Sequence, residues 1–559
     1  MEKTCHQCSA GFQITDEDLA FYDKVSPVFN GKKEQIPAPT LCPDCRLQRR
    51  LSFRNERCLY YRTCSLTGKR IVSMHASDAV FPVYEVGEWL KDHWDPLSYG
   101  RDFDFNRSFF DQMKDLRDVI PHFSLFTDSV SNINSDFTNC IANAKNCYLS
   151  TNAAYVENCY YSRGILHSRD CCDCLRVDHC ELCYECLDTH NCYRCLFLQD
   201  SDNCSDCSFS TGLRGCTSCF GCQGLVQKEY CAFNEQLTEA EWKERYGQLR
   251  LTRPVIVESI RKSEELRLKT PQRFASLVQC EDVTGDRCTQ SKNCQEVFDS
   301  NTLEDCVYCT EISDGLKDSR DCSVWGERSQ LFYECQAAGT DGFHCLFCDQ
   351  IWKNNRDLYY CIQCFPSTTD CFGCFSLHNH KYCILNKQYT KEEYEILVPK
   401  IIEHMRSTNE WGEFFPVALS DFSYNQSIAH EFFPLTEAQT KERGWRWYPE
   451  PVAAATNTNV LPDDIADVTD TLCDKTLSCQ FSGKHYKVVK QELDFYRTMG
   501  VPVPMLCQEQ RHKHRMALRR PRKLWDRTCM NCQKPIKTTY SPDRPEIVYC
   551  ESCYLESVY

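Results

Sequence analysis

No run of eighteen apolar residues occurs anywhere in the 559-residue sequence, so no segment reads as a membrane-spanning helix. The chain opens MEKTCHQC, without the apolar stretch of a signal peptide. The expectation is a cytoplasmic protein whose thiols are reduced or metal-bound, not a secreted disulfide scaffold. Also missing are a Gly-rich phosphate loop, HExxH, GxSxG and a deaminase-like HxE with PCxxC. No catalytic residue is nominated, and a non-enzymatic protein is expected. His179 before Cys180 and His344 before Cys345 are ordinary chance neighbours among 44 cysteines. Positive charge is short overall: the formal net charge of -15 argues against wholesale coating of nucleic acid, while leaving room for local basic patches.

What the chain has instead is cysteine in register. Cys147, Cys159, Cys171, Cys183, Cys195, Cys207, Cys219 and Cys231 recur every twelve residues. Three, six and nine residues away from each, small or aliphatic residues recur in the same register, as in Ala144, Ser150 and Ala153 around Cys147. A short period of this kind describes stacked coils with a narrow interior. At about 3.3 Å per residue a twelve-residue coil has a perimeter of about 40 Å, which admits only small inward side chains. Cys309, Cys322, Cys335, Cys348, Cys361 and Cys374 form a second array spaced by thirteen. CFGCQGLVQKEYCAFNEQLTEAEW from Cys219 matches CFGCFSLHNHKYCILNKQYTKEEY from Cys371, so the array is duplicated. Capping boxes, Thr238 with Glu241 and Thr390 with Glu393, predict a helix closing each tube. Trp242, Tyr246 and Leu249 supply an apolar face in the first, and Tyr394, Leu397, Val398 and Ile401 in the second, where Pro399 predicts a kink or restart.

The coil pattern resembles the small twelve-residue β-solenoids of insect antifreeze proteins, but their Thr-x-Thr surface array is absent, so ice binding is not implied. The ladder sulfurs have three readings: small buried hydrophobes, soft-metal ligands such as Cys180, Cys183, Cys192 and Cys195, or cross-coil disulfides.

Both ends carry paired CxxC knuckles. Cys5, Cys8, Cys42 and Cys45 form one quartet, and Cys529, Cys532, Cys550 and Cys553 the other. This spacing presents four thiolates tetrahedrally, and two Zn2+ per chain are expected. The first fifty residues resemble an uncharacterised bacterial zinc-ribbon family through Phe12, Thr15, Asp18, Phe21, Tyr22, Pro39, Cys42, Cys45 and Arg46. Across its length the chain is similar to cysteine-rich uncharacterised proteins of candidate-phyla bacteria. Neither resemblance implies an activity. The ends also resemble each other: FQITDEDLAFYDKV from Phe12 aligns with YKVVKQELDFYRTM from Tyr486, and LYYRTCSLTGKRI from Leu59 with LWDRTCMNCQKPI from Leu524. Each copy descends from a module with two sites. The second copy's first site has become Cys479, Ser482, Cys507 and Gln510, and the first copy's second site has become Cys64, Thr67, Glu85 and Glu88. Such complementary loss predicts that the two copies pack against each other.

Basic runs follow each module's second knuckle of the first site. One holds Arg46, Arg49, Arg50, Arg54, Arg57 and Arg62. The other holds Arg511, Lys513, Arg515, Arg519, Arg520, Arg522, Lys523 and Arg527, with Trp525 beside them. Arginine forks and aromatics suit phosphate and unpaired bases, which makes RNA, DNA or a ribonucleoprotein one candidate partner. A solvated or internally paired face and an acidic protein partner are the other readings; no membrane partner is expected. The expected fold is mainly β, with two short-coil parallel β-solenoids bearing helical caps and flanked by duplicated zinc-ribbon modules. Its boundaries are 1–90 (module), 91–131 (aromatic connector), 132–237 (solenoid), 238–275 (cap and linker), 276–387 (solenoid), 388–408 (cap), 409–470 (aromatic connector and flexible tether) and 471–559 (module). The leading functional expectation is a zinc protein engaging nucleic acid through the basic runs. A structural interaction scaffold and thiol-based metal or redox buffering are the alternatives.

Overall fold

The computed structural model describes residues 1–449 and 460–558. It divides into two compact units. One comprises Met1–Ser124, Ala275–Tyr448 and Arg522–Leu524, the other Leu125–Phe274, Pro449–Pro521 and Trp525–Tyr559. Each unit therefore joins an end module to the solenoid remote from it in sequence. Each module packs on a solenoid, for the electrostatic reason given below.

In the second unit's solenoid every coil pairs in parallel with the residue twelve later. Thr151, Arg163, Leu175, Leu187 and Gln199 form one such column, and Cys171 pairs with Cys183. In the first unit's solenoid the step is thirteen through Glu304, Lys317, Gln330, Phe343, Arg356 and Thr369, and twelve from Thr369 to Lys381. Both end in the same way, with a short return strand, Glu235–Gln236 or Lys387–Gln388, antiparallel to the last coil.

The backbone explains the three-residue rhythm. The residue before each inward side chain is left-handed: Asn146, Leu149, Asn152 and Tyr155, with φ from 48° to 56°, precede Cys147, Ser150, Ala153 and Val156. A coil thus has four sides of three residues. Left-handed backbone costs non-glycine residues about 1 kcal/mol each. Asparagine and aspartate lower that cost at many corners and stack in ladders, as where Asn146 Nδ2 donates to Asn158 (3.2 Å) and Asn158 Nδ2 to Asp170 (2.9 Å). Bonds between coils, such as Tyr148 N–H to the Cys159 carbonyl (3.1 Å) and Tyr161 N–H to the Tyr148 carbonyl (3.0 Å), hold the rest.

Both capping boxes form. The helix Lys391–Ser407 runs through Pro399 without restarting and buries Tyr394, Val398, Ile401, Ile402 and Met405. The helix Glu239–Arg245 buries none of its residues, so the first cap is corrected to a short surface helix whose contacts include Trp242 on Tyr230. Tyr246, just beyond it, lies on Phe220. The aromatic connectors enter the first unit's core: Trp411, Phe414 and Phe415 join Phe109 and Met113 around Tyr360 and Phe372 of the solenoid. Glu410 receives the first amides of the helix Phe109–Arg117, from Phe109 at 2.9 Å and Phe110 at 2.7 Å. Of the tether read from Pro451, residues 451–459 lie outside the described residues. The remainder is not loose, because Leu461, Val468 and Leu472 are buried against the second unit's core.

Candidate metal centres

Two four-thiol groups are brought together as the spacing predicts. In each, all four sulfurs lie within 4.8 Å of one another. Tetrahedral coordination with metal–sulfur bonds of about 2.3 Å needs sulfur–sulfur distances of about 3.8 Å. Cys8 and Cys42 stand 3.7 Å apart, and Cys532 and Cys550 3.6 Å. Each group can hold a metal ion. The first knuckle of each is a tight turn: Cys5 N–H donates to Ala10 (2.9 Å) and Ser9 N–H returns to Cys5 (2.9 Å), while Cys529 N–H donates to Lys534 (2.8 Å) and Gln533 N–H returns to Cys529 (2.9 Å). The second knuckle opens a helix, Cys42 capping Pro43–Leu51 and Cys550 preceding Glu551–Val558, where free amides favour thiolate. Cys550 N–H points at Cys529 Sγ from 3.2 Å. Burial raises the Cys529 thiol, but the Cys532 and Cys550 amides outweigh it and bring it down to about 6.

The decayed sites keep the turn and lose the cage. Cys479 N–H donates to Lys484 and Gly483 N–H returns to Cys479; Cys64 and Gly68 repeat this pair of bonds. In these two turns the left-handed residue is glycine, Gly483 at φ 68° and Gly68 at φ 72°, where the metal-competent turns place Ser9 at 61° and Gln533 at 62°. A glycine adopts this left-handed turn without strain, whereas Ser9 and Gln533 carry side chains there. Glu85, in the place of Cys550, caps the helix Val86–Trp89 by accepting from Glu88 N–H (3.1 Å), and Glu88 turns away to Lys91 (2.7 Å).

The basic runs face inward, which corrects their reading as an exposed footprint. Arg46, Arg49, Arg50 and Arg54 are buried, as are Arg511, Arg515, Arg519 and Arg522. Arg57 and Arg520 are half-buried, and only Lys513 and Lys523 are exposed. In the first unit Arg46 meets Asp321 at 2.9 Å, Arg50 meets Asp321 at 3.1 Å and Glu334 at 3.2 Å, and Arg49 spans Glu334 (2.9 Å) and Glu413 (2.8 Å). Arg522 adds Asp299 and Glu311, both at 2.7 Å, and Arg54 bonds Glu56. In the second unit Arg511 and Arg515 both meet Asp173 at 2.9 Å, and Arg515 reaches Glu185 at 3.1 Å. Arg519 holds Asp188 at 3.0 Å and Arg520 holds Asp200 at 3.2 Å. Lys513 lies 3.0 Å from Glu509. Burial alone would lower the Arg46 and Arg511 guanidiniums; Asp321 and Asp173 keep them charged. Burial likewise pushes Glu185 up to about 7 against the pull of Arg515.

Sequence reasoning missed the acceptor column. Successive corners of one solenoid carry Tyr161, Asp173, Glu185, Phe197 and Phe209; the other carries Tyr308, Asp321, Glu334, Phe347 and Tyr360. Arg511 lies over Tyr161 (4.8 Å) as Arg46 lies over Tyr308 (5.3 Å), and Phe197–Phe209 and Phe347–Tyr360 are both stacked. The signal was present at steps of twelve and thirteen, in outward positions between the cysteines.

No protein-family model matches the chain, and no curated protein does. Among solved structures the chain is similar to a putative acetyltransferase from Desulfovibrio desulfuricans G20, with 11% identity over 36% of this chain and a TM-score of 0.10. It spans 63% of that protein's length. The exclusion of enzymatic activity, drawn from missing motifs alone, is withdrawn, and a likeness so slight carries no argument for or against acetyl transfer. Among the described residues no helix is long and apolar enough to cross a membrane.

Proposed function

We propose that the chain is a zinc-binding scaffold, in which two four-cysteine zinc centres rigidify two ribbon modules and buried arginine clamps fix each module to a solenoid. The observation that carries this reading is the pair of four-thiol groups at tetrahedral spacing. An all-sulfur donor set favours a soft or borderline ion over magnesium or calcium, and four protein ligands leave no open position at the metal. Interaction with partners would then use uncovered solenoid faces, because the arginines proposed for nucleic acid are already engaged by carboxylates of their own unit.

X-ray absorption at the zinc edge of the purified full-length protein tests the metal half. Sulfur scattering at about 2.3 Å is expected from the two centres, and loss of one such centre each in Cys8→Ser and Cys532→Ser. Retention of all sulfur-bound zinc in both variants would overturn it. Fluorescence anisotropy with labelled RNA and DNA tests the scaffold half. No binding that falls steeply with salt is expected; tight, strongly salt-dependent binding would reinstate the nucleic-acid reading.

A further inference from the structure

Outside the thiol groups, the first unit contains a buried cluster with the chemistry of a cation site. His75, His122 and Asp421 place one donor atom each within 4.8 Å of one another. His122 is wholly buried and sits on the strand His122–Phe123, parallel to Val83–Tyr84. Its Nε2 lies 3.1 Å from the Arg117 carbonyl, so this nitrogen carries the proton and donates. In the neutral ring Nδ1 then directs a lone pair at the Asp421 carboxylate only 3.0 Å away. Two acceptors at that separation need a proton or a cation between them.

His75 argues for the cation. It is 1% exposed, and neither ring nitrogen has a partner of ordinary hydrogen-bond geometry, the Phe123 backbone lying close enough only to favour the protonated ring. It is wedged among Phe422, stacked at 5.3 Å, Phe81 and His122. A neutral imidazole keeps one nitrogen lone pair, and among the described residues no donor meets it. A fourth buried group points the same way. The Gln363 amide nitrogen lies 3.3 Å from His122 Nδ1 and 3.5 Å from Asp421 Oδ2, while its carbonyl oxygen has no partner. Turning that amide over, a change that exchanges two nearly indistinguishable atoms, offers the oxygen to the same point. The surrounding charge is mixed: His122 above all, then His75 and Arg117, favour the Asp421 carboxylate, Arg62 acts on His75, and Asp349 is a further buried carboxyl influenced by Asp421.

We infer that His75, His122 and Asp421, assisted by Gln363, form a third metal site, of mixed nitrogen and oxygen donors, that takes a divalent transition ion such as zinc or cobalt. Among the described residues the second unit has no counterpart. The duplicated module has Tyr540 where the first has His75, and Gln272 stands opposite Val548 in the register that His122 occupies opposite Val83. The site goes beyond the two four-cysteine centres and does not depend on them.

Metal analysis of full-length protein grown with cobalt tests it. Three ions per chain are expected, two with thiolate-to-cobalt charge-transfer absorption and one without. His75→Gln is expected to lower the count by one and leave the charge-transfer bands unchanged. The combined Cys8→Ser and Cys532→Ser variant is expected to lose those bands and keep the cobalt that has no sulfur signature. Two ions in the wild type, both thiolate-bound, would overturn the site whether or not His75→Gln folds, as would an unchanged count in a folded His75→Gln. Loss of the charge-transfer bands alone would instead speak against the four-cysteine centres.

Discussion

Cysteine does two chemically different jobs in this chain, and the neighbours of each sulfur decide which. In the ladders a thiol donates to carbonyls of its own and the next coil, as Cys159 does to Glu157 (3.4 Å) and Ser168 (3.7 Å). Burial raises the Cys186 and Cys345 thiols well above their ordinary value while the Cys171 sulfur holds Cys183 below it, so what the ladder thiols share is enclosure away from reagents. At the module ends amides and helix N-termini favour thiolate instead. Native labelling of the metal-loaded protein with an aromatic disulfide should therefore be slow and confined to the half-buried Cys58, Cys140, Cys280 and Cys473. A chelator should add all eight ligand cysteines to the labelled set, the exposed Cys8 and Cys532 first and then Cys5, Cys42, Cys45, Cys529, Cys550 and Cys553, as identified by mass spectrometry. Fast labelling of ladder positions such as Cys183 or Cys348 in folded protein would restore thiol buffering as the better account.

Among elements, the decisive contact is between the helix after each knuckle and a corner column of a solenoid. Arg46 and Arg50 on Pro43–Leu51 grip Asp321 and Glu334, and Arg511 and Arg515 on Gln508–Leu518 grip Asp173 and Glu185. Removing one partner of a buried network strands the other charge, typically at about 3–5 kcal/mol, whereas apolar replacement of both can be nearly neutral. Arg50→Met alone should lower the stability of the first unit, measured by urea unfolding, by that amount. Adding Asp321→Leu and Glu334→Leu with Arg46→Met should recover most of it, and a loss below about 1 kcal/mol for Arg50→Met would show the clamp to be incidental. Legibility follows the same division between local and distant. Knuckles, capping boxes and coil period are local spacings, and the sequence states them in Cys5-x-x-Cys8, Thr390 with Glu393, and Cys171 to Cys183. The left-handed corners are not visible in it, because Leu149, Tyr155 and Phe197 have no intrinsic preference for positive φ and adopt it only inside a stack. Nor does any spacing say that Arg46 belongs with Asp321, 275 residues on.

At the scale of the molecule the duplication embraces whole units: knuckle, arginine helix, aromatic pair and acidic column recur together. Phe21 and Tyr22 pack on Tyr333 as Phe495 and Tyr496 pack on Tyr184. Where matched positions differ, the units should differ in behaviour. The solenoid repeat that aligns Cys219 with Cys371 sets His378 in the first unit against Val226 in the second. His378 packs against Trp89 at 4.3 Å and Trp94 at 5.3 Å, its Nδ1 donates to the Phe365 carbonyl at 3.1 Å, and its Nε2 has no partner. Burial lowers it from 6.5 to about 4. A folded value below the unfolded one means that its contribution is fully present above pH 6.5 and is lost as pH falls toward 4. Between pH 7 and pH 5 that loss amounts to about 1–2 kcal/mol. Tryptophan fluorescence isolates the effect, since Trp242 and Trp525 alone belong to the second unit. Urea unfolding followed in this way should show the drop at pH 5 in the wild type and a drop smaller by that amount in His378→Val, whatever the variant's stability at pH 7. Equal pH dependence in the two proteins would mean that His378 titrates alike in the folded and unfolded chain, and that the units' acid sensitivities arise elsewhere.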